Sequence, residues 1–169
     1  MTIRPGERLP EGKVQQYIET ETGGCSIGPN DLDIAHRVRG RRIVIFGLPG
    51  AYTPTCSGRH VPGFVARYDD FRAAGIDEIW CLSVNDAYVM HAWGRDQQVG
   101  DRIQMIADGN CDYTRRLGLE VDLTARGMGW RSQRYAMLVE DGVVRLLLLE
   151  QPGQFEVSGA ESVLRAMRE

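Results

Sequence analysis

Cys56 closes the run Pro49-Gly50-Ala51-Tyr52-Thr53-Pro54-Thr55-Cys56, and its place there suggests nucleophilic chemistry. Before it lies Ile43-Val44-Ile45-Phe46, short and β-branched as a buried strand is. After it, Val61, Phe64, Val65, Tyr68 and Phe71 recur as on one helical face. Thr53 suits an N-cap and Pro54 the first helical position, so Cys56 is expected in the first turn of the helix. Unpaired N–H groups and the helix dipole favour an anion there. A cysteine in such a place tends to ionise near neutral pH, and the thiolate is the reactive form. Cys56 is therefore read as a redox nucleophile.

The other thiols narrow the chemistry. Cys25, Cys81 and Cys111 stand 31, 25 and 55 positions from Cys56, and no C-x-x-C occurs. A zinc ribbon and a thioredoxin-type dithiol are thus excluded, since Arg59 occupies the place a second cysteine would need. A cysteine phosphatase would want an arginine six positions after its nucleophile, where Pro62 stands. The loop Gly127-Met128-Gly129 has no following G-K-[ST], which argues against a phosphate cradle. Twenty basic against twenty-three acidic residues leave a net charge of −3, so neither nucleic acid nor an anionic membrane is an expected partner. No apolar run reaches the length of a membrane span, and residues 1–13 lack the apolar core of a signal peptide. A cytoplasmic protein is the resulting expectation.

The elements that must position Cys56 read as an alternation. An irregular lead-in over 1–12 precedes a strand at Val14 to Ile18, and turns are expected at Glu21-Thr22-Gly23-Gly24 and Gly28-Pro29-Asn30-Asp31. The long helix after Cys56 ends at Gly75, and Ile76 to Val84 reads as a second buried strand. Asn85 or Asp86 caps a helix containing Tyr88, Val89, His91, Ala92 and Trp93. A strand at Ile103 to Ala107, a short helix from Cys111 to Leu117, and strands over Arg134 to Val139 and Val143 to Leu149 follow. Asp141-Gly142 is a hairpin turn between the last two, and Ala160 to Met167 is a closing helix. The whole, residues 1–169, is expected to be one α/β domain with a mixed sheet, its first two buried strands parallel across a helical crossover. The site would lie at the carboxyl end of the first of them. Tyr52, Tyr88 and Trp93 are candidates for exposed apolar surface.

Pro49-x-x-x-Thr53-x-x-Cys56 resembles the active-site motif of the peroxiredoxins, thiol peroxidases of thioredoxin-like fold. His60-Val61-Pro62-Gly63-Phe64, Cys81-Leu82-Ser83-Val84-Asn85-Asp86-Ala87 and Trp93-Gly94 are similar to the type II/type-five branch, and the likeness runs from about Pro10 through the last helix. The resemblance implies a mixed sheet flanked by helices and no cofactor. It implies Cys56 as the peroxidatic cysteine, Thr53 as the group that orients the peroxide, Pro49 as a shield against water and Arg134 as the cation beside the sulfur. It also implies a substrate pocket that includes Gly50, Thr55 and His60; on spacing alone His60 shares a helical face with Cys56, where a packing or surface role is expected ahead of an influence on the thiol. Hydrogen peroxide or alkyl hydroperoxides would be the substrates, and a homodimer is implied. Val157 stands where some relatives carry a C-terminal resolving cysteine. Cys81 is the other possible resolving residue, but it falls in an apolar strand that keeps a thiol protonated. Recycling by glutathione and glutaredoxin, or by thioredoxin, is the preferred expectation. A thiol–disulfide oxidoreductase using Cys56 alone, or a peroxide-sensing relay module, is the alternative.

Overall fold

In the computed structural model, which describes residues 1–21 and 23–169, seven strands form one mixed sheet. They are β1 (Lys13–Ile18), β2 (Gly28–Asp33), β3 (Arg42–Leu48), β4 (Glu78–Ser83), β5 (Gln104–Ala107), β8 (Tyr135–Glu140) and β9 (Val143–Leu149); β6 (Glu120–Asp122) and β7 (Trp130–Ser132) make a separate ribbon. The spatial order is β2-β1-β5-β4-β3-β8-β9. The inner strands β3, β4 and β5 are parallel, with Ile43 beside Glu78 and Trp80 beside Gln104. Parallel strands are covered on both faces, which is why β3 and β4 read as continuous apolar runs.

Alternation along β3 divides the core in two. Val44, Phe46 and Leu48 point to one face, where they meet Val61, Phe64, Phe71, Met90 and Trp93. Ile43 and Ile45 point to the other, toward Trp80, Leu82, Tyr113 and Tyr135. On the first face Phe46 stacks on Phe64 at 4.2 Å, and Phe64 on Phe71 at 5.5 Å. The helices are α1 (Ile34–Arg37), α2 (Val61–Ala66), α3 (Tyr68–Ala73), α4 (Ala87–Asp96), α5 (Asp112–Leu117) and α6 (Ala160–Met167). None described is long and apolar enough to cross a membrane. Asp86 caps α4 by accepting from the Val89 N–H, and Asp141 and Gly142 both take the positive φ that a tight hairpin requires.

Three expectations need correction, and a fourth cannot be compared. Gly28-Pro29-Asn30-Asp31 is not a turn but most of β2, antiparallel to β1; β2 is an edge strand, the place in a sheet where proline is tolerated. The expected turn at Glu21–Gly24 includes Thr22, which lies outside the described residues. The long helix after Cys56 is broken, with Arg67 (φ −103°, ψ 12°) separating α2 from α3. Trp93 is fully buried, with its indole N–H donating to the Ser57 hydroxyl at 3.0 Å. Tyr52 and Tyr88 are exposed, at 52% and 65%.

Candidate active site around Cys56

Where β3 ends at Leu48, the chain turns sharply through Pro49 to Thr53, and Tyr52 takes a left-handed φ of 65°. Neighbouring elements hold this turn. The Ala51 N–H donates to the Asn85 side chain at 3.0 Å, which also accepts from the Ser83 hydroxyl at the end of β4. Arg131 donates to the Pro49 carbonyl at 3.3 Å. A Cβ on Gly50 would lie 2.7 Å from the Arg131 guanidinium, so a larger residue there would push the arginine tip aside.

Helical backbone starts at Pro54, as the sequence implies, but the Thr53 hydroxyl does not cap it. It donates instead to the Gly50 carbonyl at 2.9 Å, leaving its oxygen lone pairs free for another donor. From Cys56 to His60 the helix widens to a π-turn in which the Val61 N–H reaches the Cys56 carbonyl. Such turns occur often at functional sites, because they shift side chains off the regular helical spacing.

That shift brings Cys56 and His60 to one cation. Arg134, the residue before β8, donates from Nη2 to the Cys56 Sγ at 3.2 Å and from Nη1 to the His60 Nδ1 at 2.9 Å. His60 has no exposed surface, and its Nε2 lies 2.9 Å from the Ser158 carbonyl. Burial first, and the Arg134 charge second, push its pKa down to about 3. The imidazole is thus neutral at pH 7. Since Arg134 can only donate, His60 accepts at Nδ1 and donates its Nε2 proton to Ser158. The Phe155 ring packs against His60 (5.0 Å) and lies under the guanidinium groups of Arg59 and Arg134.

A cavity of about 400 Å³ opens beside this cluster. Pro49, Thr53, Thr55 and Arg134 line it, together with Leu123, Met128 and Glu150. Gly50 and His60, expected in the pocket, do not line it: Gly50 anchors the Thr53 hydroxyl, and His60 sits behind Arg134. Cys56 itself has no exposed surface. Cys81 lies on β4 opposite Phe46 of β3, also fully buried. Burial, reinforced by the nearby Cys56, pushes its thiol well above the ordinary value, and the Arg134 charge offsets this only in part. All four cysteines are free thiols. Glu150, which lines the cavity, and Ser158, whose carbonyl meets His60, were not legible in the sequence: the segment from 150 to 159 carries no periodicity or motif.

Comparison with known proteins identifies the scaffold. The Redoxin family matches residues 4–164. The chain is 42% identical to peroxiredoxin-2E, a chloroplastic protein of Arabidopsis thaliana, over 98% of this chain and 70% of that one. It also superposes on the crystal structure of reduced Prx3 from Vibrio vulnificus in complex with hydrogen peroxide, with TM-score 0.91 and 42% identity, covering 98% and 99% of the two chains. A crystal structure from Burkholderia cenocepacia, named provisionally as a thioredoxin reductase, is 54% identical with TM-score 0.96 over 98% of both chains. The cytoplasmic expectation does not stand beside a chloroplastic relative of this similarity; lack of a signal-like segment is a weak guide to compartment. Sequence, fold and thiol chemistry converge: the chain belongs to the peroxiredoxins, thiol-dependent peroxidases of thioredoxin-like fold that take a peroxide substrate and a thiol reductant.

Proposed function

We propose that Cys56 is the peroxidatic cysteine of this enzyme and that Thr53, Arg134 and Pro49 serve its reaction with hydrogen peroxide or an alkyl hydroperoxide. The 3.2 Å contact between the Arg134 guanidinium and the Cys56 sulfur carries this reading. The thiolate attacks one peroxide oxygen, the O–O bond breaks, and the electron pair leaves with the second oxygen, which takes a proton to become water or an alcohol. Cys56 is left as a sulfenic acid. Charge moves from sulfur to the leaving oxygen, so a fixed cation beside both stabilises the transition state more than the ground state. The Thr53 hydroxyl, already donating to Gly50, can accept the peroxide's O–H and orient it. Pro49 and Thr55 wall the cavity through which the peroxide arrives, and its apolar side suits an alkyl group.

The sulfenic acid condenses with an external thiol to give a mixed disulfide and water, and a second thiol releases Cys56 reduced. Glutathione with glutaredoxin is the proposed reductant. Two features support an external thiol: Val157 offers no sulfur, and Cys81 is buried and protonated. Residues 1–169 would act as one redoxin domain, paired as a homodimer through a surface that includes Tyr52 and Tyr88. Peroxide consumption with glutathione and glutaredoxin tests the assignment. Cys56→Ser should abolish it, and substantial remaining turnover would defeat the reading.

A further inference from the structure

Beside Arg134, on the lining of the same cavity, lies a second charge that the reaction above leaves unused. Glu150, the residue after β9, is only 6% exposed, and among the described residues no basic side chain pairs with it. A buried, unpaired carboxylate is costly unless hydrogen bonds replace its water. Here they do. Its oxygens accept from the backbone N–H groups of Glu156 (2.9 Å), Val157 (2.9 Å) and Ser158 (2.8 Å), and from the Ser158 hydroxyl (2.7 Å). Burial pushes this carboxyl up, but these donors together outweigh it and hold the group below its ordinary value.

The clamped segment is the one that holds His60. Ser158 presents its carbonyl to the His60 Nε2, the Nδ1 of the same ring accepts from Arg134, and Arg134 reaches the Cys56 sulfur. At its other end the Glu150 backbone N–H donates to the Arg134 carbonyl at 3.0 Å. Glu150 therefore fixes the main chain of Arg134 directly and its guanidinium through two intermediaries. An apolar residue could fill the space, yet it could not gather three successive N–H groups onto one point.

We propose that Glu150 is a positioning residue of the peroxidase: its carboxylate pins residues 156–158 so that His60 holds the Arg134 guanidinium against the Cys56 sulfur. The inference rests on the role proposed above for Arg134. In Glu150→Gln the one carboxylate oxygen that takes all four hydrogen bonds becomes a neutral amide oxygen, so the charge-assisted clamp weakens while the volume is kept.

A double-mutant cycle on the rate of Cys56 oxidation by hydrogen peroxide tests this, since coupled residues depart from additivity. Glu150→Gln should slow the rate about tenfold in the wild-type background, as small misplacements of a reacting group do. It should slow it no further in the Arg134→Ala background. An equal loss in both backgrounds, or no loss in the first, overturns the proposal, because a merely structural role would not depend on Arg134. If Arg134→Ala alone leaves the rate unchanged, the role given to Arg134 fails, and this inference fails with it. Should Glu150→Gln not fold, Ser158→Ala removes one donor to the carboxylate and keeps the backbone. It should give a smaller loss that likewise disappears without Arg134, and additivity there overturns the proposal.

Discussion

The Nδ1 of His60 and the Nη1 of Arg134 lie 2.9 Å apart, joining residues separated by 74 positions. Because the guanidinium can only donate, this contact requires a neutral imidazole whose remaining proton sits on Nε2, facing Ser158. The site thus carries one fixed positive charge beside the Cys56 sulfur, with His60 as its orienting acceptor.

Loss of that charge should appear in the chemistry before it appears in stability. Arg134→Ala is expected to slow Cys56 oxidation by about 10²–10³-fold, the usual effect of removing a donor aimed at developing charge. Its unfolding free energy should fall by no more than about 1–3 kcal/mol, the cost of leaving the His60 Nδ1 without a partner. Stopped-flow oxidation and urea titration measure the two. Comparable losses in both would indicate a structural arginine.

Stability should fall in mild acid because of His60. Its folded pKa, about 3, lies below the unfolded value of 6.5. Between those values the unfolded chain binds a proton that the folded chain does not. The contribution is therefore whole above 6.5 and is lost as pH falls toward 3. Urea unfolding at pH 7 and pH 5 should differ by about 2 kcal/mol from this group. His60→Gln should flatten the difference, and an equally steep fall in that variant would remove His60 as its source.

Cys81→Ser should leave turnover with glutathione and glutaredoxin largely intact, since the wild-type thiol is buried and protonated. Peptide mapping of oxidised wild type should show no bridge between Cys56 and Cys81. Such a bridge, together with lost recycling in the variant, would make Cys81 the resolving cysteine.

Phe64→Ala removes the middle ring of the Phe46–Phe64–Phe71 stack under the π-turn. A loss of about 3–5 kcal/mol is expected, typical of a large core truncation. Thermal unfolding tests it; a loss under about 1 kcal/mol would mean that the neighbours close the gap.

What could be read in advance follows the range of the forces involved. β3, β4 and β9 announce themselves as apolar runs and α6 by its helical period, because burial marks the local sequence, and Asp86 and Asp141-Gly142 because caps and tight turns demand particular residues. The β6–β7 ribbon has three-residue strands, too short for any period to show. β2 carries turn-forming residues and is a strand only because β1 lies beside it. Arg134 was found through likeness to a family and not through spacing, since nothing local at position 134 points to a sulfur 78 positions away. The linkage of His60 to Arg134, and of Glu150 to residues 156–158, depends on the π-turn and the folded path of the last loop. Both are products of tertiary packing.

The central claim is that Cys56 is the atom that meets the peroxide. Intact-mass analysis with peptide mapping after one equivalent of hydrogen peroxide, with and without glutathione, addresses it directly. The expected result is one added oxygen on the peptide containing Cys56 without glutathione, and a glutathione adduct at the same residue with it. Oxidation confined to Cys25, Cys81 or Cys111, with Cys56 unmodified, would contradict the account.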